Sequence, residues 1–149
     1  MKKIIYLFIF LITLSWCSWK NINNNIPNKN LSWWKIKMTD KIINKAVSPE
    51  EFKKLINTWK YTVIDIRTPQ ELDYFGYIFW MNYHYDMYNT GDVQKILELP
   101  KDEKYLIYCY HGNRTAMMRE YMIQNWFKYV IDLAGGTDLR VQQGDKLVH

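Results

Sequence analysis

The sequence predicts an α/β domain built on a mainly parallel sheet, and three observations carry that expectation. Three short β-branched runs, "YTVIDI" (61–66), "KYLIYC" (104–109) and "KYVIDL" (128–133), have the length and composition of buried strands. Three segments have helical character: "SPEEFKKLIN" (48–57), "DVQKILEL" (92–99) and "RTAMMREYMIQN" (114–125). The two kinds of segment alternate along the chain, which is the pattern of a parallel sheet crossed by helices.

The elements follow in order. Met1 to Cys17 is laid out like an export signal, with Lys2 and Lys3 as a positive start and an apolar run from Ile4 to Leu14. That run is short for a transmembrane helix, which needs about 20 apolar residues. "LSWC" (14–17) resembles the lipobox of bacterial lipoproteins, so Cys17 is a candidate lipidation site; Trp16 stands where a small residue belongs. The alternative is an uncleaved signal anchor. Either way the remainder is expected outside the cytoplasmic membrane and tethered to it. Residues 18–45 are rich in Asn and Lys and read as a flexible spacer. The ordered domain is expected over 46–148. Its first helix starts with Ser48 as N-cap, Pro49 at the first helical position and Glu50 and Glu51 in the first turn. Phe52, Leu55 and Ile56 share its apolar face.

Composition narrows the function classes. The 149 residues carry a net charge of +5, supplied by 16 Lys and only 4 Arg, with a pI near 9.1. The lysines are scattered, and no nucleic-acid-binding pattern is present. His84, His111 and His149 have no ligand-like spacing to each other or to the two cysteines, so neither a metal nor a cofactor is expected.

The chemistry is expected at the end of the second run. In open α/β sheets, sites lie at the carboxyl ends of strands. Cys109 follows the strand "KYLIY", and the loop "CYHGNR" (109–114) leads straight into a helix. Loop amides and a helix N-terminus converging on one point make an anion cradle. Gly112 can supply a positive φ and Asn113 tolerates one. Arg114 adds a fixed charge. A cysteine in this field is expected to favour its thiolate and to act as a nucleophile. An inert cysteine at a strand end is the plainer reading, and the H-G-N-R-T that follows argues against it.

Residues 46–148 resemble the single-domain rhodaneses. "VIDIRTPQEL" (63–72) is similar to that family's D-x-R-x-x-x-E stretch, "CYHGNRT" (109–115) to its C-x-x-G-x-R-S/T catalytic loop, and "DLAGGTDLRVQQGDKLV" (132–148) to its closing L-x-G-G segment. The resemblance implies a five-stranded, mainly parallel sheet with helices on both faces. It implies that Cys109 takes a sulfane sulfur from thiosulfate or a persulfide, holds it as Cys–S–S⁻ and yields it to a thiophilic acceptor. Tyr110, His111, Gly112, Asn113 and Arg114 would contact the donor, with Arg114 either anchoring the loop or attracting an anion. Arg67 would be a second anion contact or a structural group. Asp65 and Thr115 would support the loop. Expected partners are a small sulfur-donor anion, a thiol or protein acceptor, and the membrane through the N-terminus; no nucleic acid is expected.

Two other classes stay in view. Phosphatases of this fold use a loop longer by one residue and would need arginine at position 115, where Thr115 stands. A non-catalytic persulfide carrier or sulfide sensor would use the same cysteine. If Cys17 is lipidated, Cys109 is left without a disulfide partner.

The tryptophans are unusual. Trp59 stands where a helix C′ glycine belongs, Trp80 and Trp126 stand at family glycines, and Trp16 displaces the lipobox glycine. Trp19, Trp33 and Trp34 fall in the spacer, where glycine would also be natural. Six Gly in this length is low, and adding all seven positions brings the total to thirteen, about 9 % and closer to the usual roughly 7 %. The expectation is that these codons are UGA, read as glycine by the organism; the alternative is seven genuine tryptophans serving as core, turn and membrane-interface aromatics. Arg140, Tyr77 and Tyr83 are further departures from the family pattern, and none removes a reacting group.

Overall fold

A computed structural model describes residues 41–149. The signal, the lipobox with Cys17, the spacer up to residue 40, and Trp16, Trp19, Trp33 and Trp34 lie outside the described residues. Among the described residues no helix is long and apolar enough to cross a membrane.

The chain alternates strand and helix throughout: β1 (Ile43–Val47), α1 (Pro49–Ile56), β2 (Thr62–Asp65), α2 (Pro69–Phe75), β3 (Tyr83–His84), α3 (Thr90–Glu98), β4 (Lys104–Tyr108), α4 (Asn113–Gln124), β5 (Tyr129–Leu133) and α5 (Gly136–Gln142). The five strands form one sheet in the order β1-β5-β4-β2-β3, and all four pairings are parallel. Parallel strands must be covered on both faces, and the alternation along β4 shows how. Tyr105 and Ile107 face a core with Ile96 of α3 and Met118 and Met122 of α4. Leu106 and Tyr108 face the opposite core with Phe52 and Ile56 of α1. Cys109 continues this alternation onto the α3/α4 side.

The cap expected at α1 forms, and a second one, not named from the sequence, opens α2. Ser48 Oγ accepts from the Glu51 amide at 3.3 Å, and Pro49 opens α1. α2 begins with a capping box, Glu71 accepting from the Thr68 amide at 2.9 Å and donating its own amide to Thr68 Oγ1 at 3.3 Å.

β1 begins at Ile43, ahead of the domain start expected at Ala46. β1 is an edge strand on β5, and Asn44, Lys45 and Ala46 are exposed. A half-bare edge shows no apolar run, so its first residues passed for spacer.

Trp59, with φ 57°, and Trp126, with φ 72°, are the only non-glycine residues of positive φ among the described residues. Both lie just past helix ends, with their amides donating to Ile56 and Ile123 carbonyls at 3.1 and 3.0 Å. These are two of the three domain positions where the sequence pattern wants glycine. Trp80 differs. Its φ is not positive, and its indole finds room at the surface between Trp59 and Phe79, with ring centres 4.4 and 4.6 Å away.

Candidate active site

Cys109 follows the carboxyl end of β4, the central strand of the sheet. It is a free thiol and only 1 % exposed. The next residues turn back over it. Gly112 takes φ 92°, which L side chains rarely adopt. That conformation swings its amide inward to donate to Cys109 Sγ at 3.1 Å. α4 starts at the following residue, so the sulfur lies beneath a helix N-terminus.

The loop is held from three sides. α5 grips its carbonyls, the Thr137 amide donating to Cys109 O at 2.9 Å and the Asp138 amide to Tyr110 O at 3.0 Å. The chain can come this close only because residue 136 is glycine. A Cβ there would stand 2.2 Å from Tyr110 O and 2.5 Å from Cys109 O. From the α4 side, Thr115 Oγ1 donates to Gly112 O at 2.9 Å and lies 3.7 Å from Cys109 Sγ. Behind it stands buried Asp132, whose Oδ2 is 3.3 Å from the same hydroxyl and whose other oxygen pairs with Arg119. Burial pushes the Asp132 carboxyl up, against the opposing pull of Arg119 and Thr115.

The third hold is Arg114. Its guanidinium meets Glu71 of α2 in a fork, Nη1 to Oε2 at 2.7 Å and Nη2 to Oε1 at 2.5 Å. Of the two roles the sequence left open for Arg114, the geometry favours the anchor. Burial would push the Glu71 carboxyl up, but the Arg114 hydrogen bonds and charge, with those from Thr68, outweigh it and hold the group down to about 2. A carboxylate lowered in the folded state stabilises the fold fully above its unfolded value near 4.5, and that contribution disappears as pH falls through about 2. Acid titration of stability should therefore show a loss over this window, and Glu71→Gln should remove that part of it.

Arg67 and Asp65 lie deeper. Both are fully buried, joined by Nε to Oδ1 at 3.0 Å and Nη2 to Oδ2 at 2.6 Å. Nη2 also donates to Gly76 O at 2.7 Å, tying the end of α2 to β2. Arg67, expected as an anion contact or a structural group, has no exposed surface with which to meet a donor. Its contacts with Asp65 and Gly76 O are those a structural group would make. Arg67→Ala would leave Asp65 buried and unpaired, at a cost of about 3–5 kcal/mol. This should appear as a lower urea midpoint at unchanged slope.

At the mouth, Tyr110 is half-buried and His111 exposed. The Tyr110 ring lies 4.6 Å from that of Phe75 and 4.4 Å from that of His111. His111 Nδ1 is 3.4 Å from Asp138 Oδ2. Asn113 is exposed at the first position of α4. The structure thus gathers Cys109, Tyr110, His111, Gly112, Asn113, Arg114 and Thr115 into one loop and sets Asp65 and Arg67 beneath it. Sequence reasoning did not assign Glu71, Phe75, Asp132 and Asp138 their places at the loop. Only Glu71 left a trace, as the acid of the D-x-R-x-x-x-E stretch. Arg140, the departure from the family pattern, is buried and ion-paired to Asp145 at 2.9 Å.

A cysteine at the tip of the central strand, capped by a six-residue loop running into a helix, defines a rhodanese-type site. The rhodanese-like domain family matches residues 48–139, and the chain belongs to that family. It is 32 % identical over 93 residues to the thiosulfate sulfurtransferase GlpE of Pseudomonas aeruginosa, covering 62 % of this chain and 80 % of that one. The GlpE of Pseudomonas putida is 30 % identical over 95 residues, covering 64 % and 83 %. A rhodanese-related protein of Thermoplasma volcanium has a similar fold, with a TM-score of 0.58 and 29 % identity over 70 % of this chain and 97 % of that one. The polysulfide-sulfur transferase homodimer of Wolinella succinogenes shares the fold at a TM-score of 0.58 and 23 % identity, covering 76 % and 82 %.

Proposed function

We propose that this protein is a sulfurtransferase that moves sulfane sulfur from thiosulfate or a persulfide to a thiophilic acceptor through a persulfide on Cys109. The observation that carries the proposal is the cradle around the sulfur, with the Gly112 amide 3.1 Å from Sγ at the start of α4. In the first half-reaction the Cys109 thiolate attacks the outer sulfur of the donor. An Sγ–S bond forms, the donor's own S–S bond breaks, and the electron pair leaves on the donor remnant, sulfite or a thiolate. In the second half-reaction the acceptor takes the outer sulfur and returns the Cys109 thiolate. The inward-facing Gly112 amide and the N-terminus of α4 stabilise the anionic sulfur carried between the two steps.

The relatives named thiosulfate sulfurtransferases support this reading, and the loop length favours sulfur over a phosphate ester. The test is steady-state turnover with cyanide as acceptor, read as thiocyanate. Many equivalents per protein support an enzyme, while a single equivalent, held and then released, supports a carrier. Hydrolysis of a phosphate ester without sulfur transfer would overturn both. Export and a lipid tether at Cys17 belong to the same proposal, and only the sequence of residues 1–17 supports them.

A further inference from the structure

The mouth of the site tells more about the donor than the cradle does. Thiosulfate is a dianion whose sulfonate must remain outside a buried thiol, so its recognition calls for free positive charge at the entrance. Here the arginines are already occupied. Arg114 is forked onto Glu71 and Arg67 onto Asp65, while Arg119 is ion-paired to Asp132 and Arg140 to Asp145. The one cationic candidate on the loop surface, His111, faces Asp138. Many of the lysines are far away. Lys104 begins β4, Lys128 directly precedes β5, and Lys60 lies two residues before β2. In a parallel sheet these positions lie at the edge opposite Cys109.

In place of charge, the mouth carries rings. Tyr74, Phe75, Tyr110 and His111 follow one another with centroid separations of 4.7, 4.6 and 4.4 Å. Tyr74 is 77 % exposed and Phe75 37 %, so the row is open to a ligand. Cys109 itself is 1 % exposed. Only the outer sulfur of a donor reaches it, and the carrier group of that donor stays against the rings.

Resting on the sulfurtransferase reading above, we infer that the preferred donor is the persulfide of a small organic thiol, R–S–SH, selected by the Tyr74–Phe75–Tyr110 row, and that thiosulfate is a poor donor. Such a molecule brings less charge to a mouth whose cations are neutralised, and an organic group that the rings can cover. The Cys109 thiolate attacks the outer sulfur, the Sγ–S bond forms, and the donor S–S bond breaks with its electron pair leaving on R–S⁻. The proton stays with the transferred sulfur, and nothing is oxidised or reduced overall.

The test compares kcat/KM of the full chain for thiosulfate and for the persulfide of N-acetylcysteine methyl ester, with cyanide as the common acceptor. The persulfide is expected to be better by about tenfold or more. Phe75→Ala should narrow the gap by lowering the persulfide value about fivefold, mainly through KM. Asp138→Asn, which removes a carboxylate from the mouth, should raise the thiosulfate value a few-fold. Equal or better use of thiosulfate by the unaltered protein would overturn the inference and leave the sulfurtransferase reading standing. A Phe75→Ala variant that still folds and affects both donors alike would overturn the role of the rings. Failure to accept sulfur from either donor would overturn the inference and the sulfurtransferase reading together.

Discussion

Cys109→Ser is expected to reduce sulfur transfer to background, a loss on the order of 10⁴-fold or more. The reacting atom is the only group at the site that can form and break a sulfur–sulfur bond, so no neighbour can replace it. Thr115 and Asp132 stand close behind it, but oxygen cannot hold a sulfane sulfur reversibly. The substitution is otherwise mild. Serine is slightly smaller, and its Oγ can still accept the Gly112 amide that now donates to Sγ. The loop remains gripped by the Thr137 and Asp138 amides and by the Arg114–Glu71 fork. The variant should therefore melt within a few degrees of the unaltered protein. Retained folding with lost transfer shows a chemical role. Retained transfer would move the sulfur elsewhere.

Replacing Trp59 and Trp126 by glycine is expected to raise stability by about 1 kcal/mol at each site. In a domain of this size the two together should raise the melting temperature by roughly 10 °C. A non-glycine residue at positive φ brings its Cβ against the following carbonyl, and glycine removes that contact. Trp126 is the cleaner position, since it is 84 % exposed and glycine there gives up little burial. At Trp59 the gain is partly offset by losing the ring contact with Trp80. Trp80→Gly should do less, because its φ is not positive. Unchanged melting of the Trp126→Gly variant would count against recoding. With the sequence pattern at the other five positions, the strain at Trp59 and Trp126 leads us to propose TGA, read as glycine, at all seven tryptophan codons. Sequencing the gene checks this directly, and TGG at 59 and 126 would end the idea.

Much of the domain was legible because its signals are local. α1 carries its cap, its proline and its apolar face within one short stretch, and the buried runs of β2, β4 and β5 stand out from the polar residues around them. β1, α2 and β3 were not individually legible. β1 is an edge strand with three exposed residues. α2 buries none of its residues and so shows no apolar face. β3 has two residues and exists only because β2 is beside it. The same distinction divides the site. Cys109 to Thr115 are contiguous, and their spacing indicates the chemistry. Their partners are remote in sequence, Glu71 lying 43 residues from Arg114, and only folding reveals which carboxylate occupies which arginine. For that reason the roles of Arg67 and Arg114 stayed open in the sequence, whereas the fold sets each guanidinium against a carboxylate.

The measurement that tests the central claim most directly is the intact mass of the folded protein after brief exposure to a sulfane-sulfur donor. Thiosulfate and an organic persulfide should be tried separately, each with Cys109→Ser as control. The account predicts a mass gain of one sulfur atom on the unaltered protein, mapped to the peptide containing Cys109 and lost on adding cyanide or a thiol. The variant should show no gain. An unaltered mass with both donors, on protein whose melting shows it folded, would contradict the account.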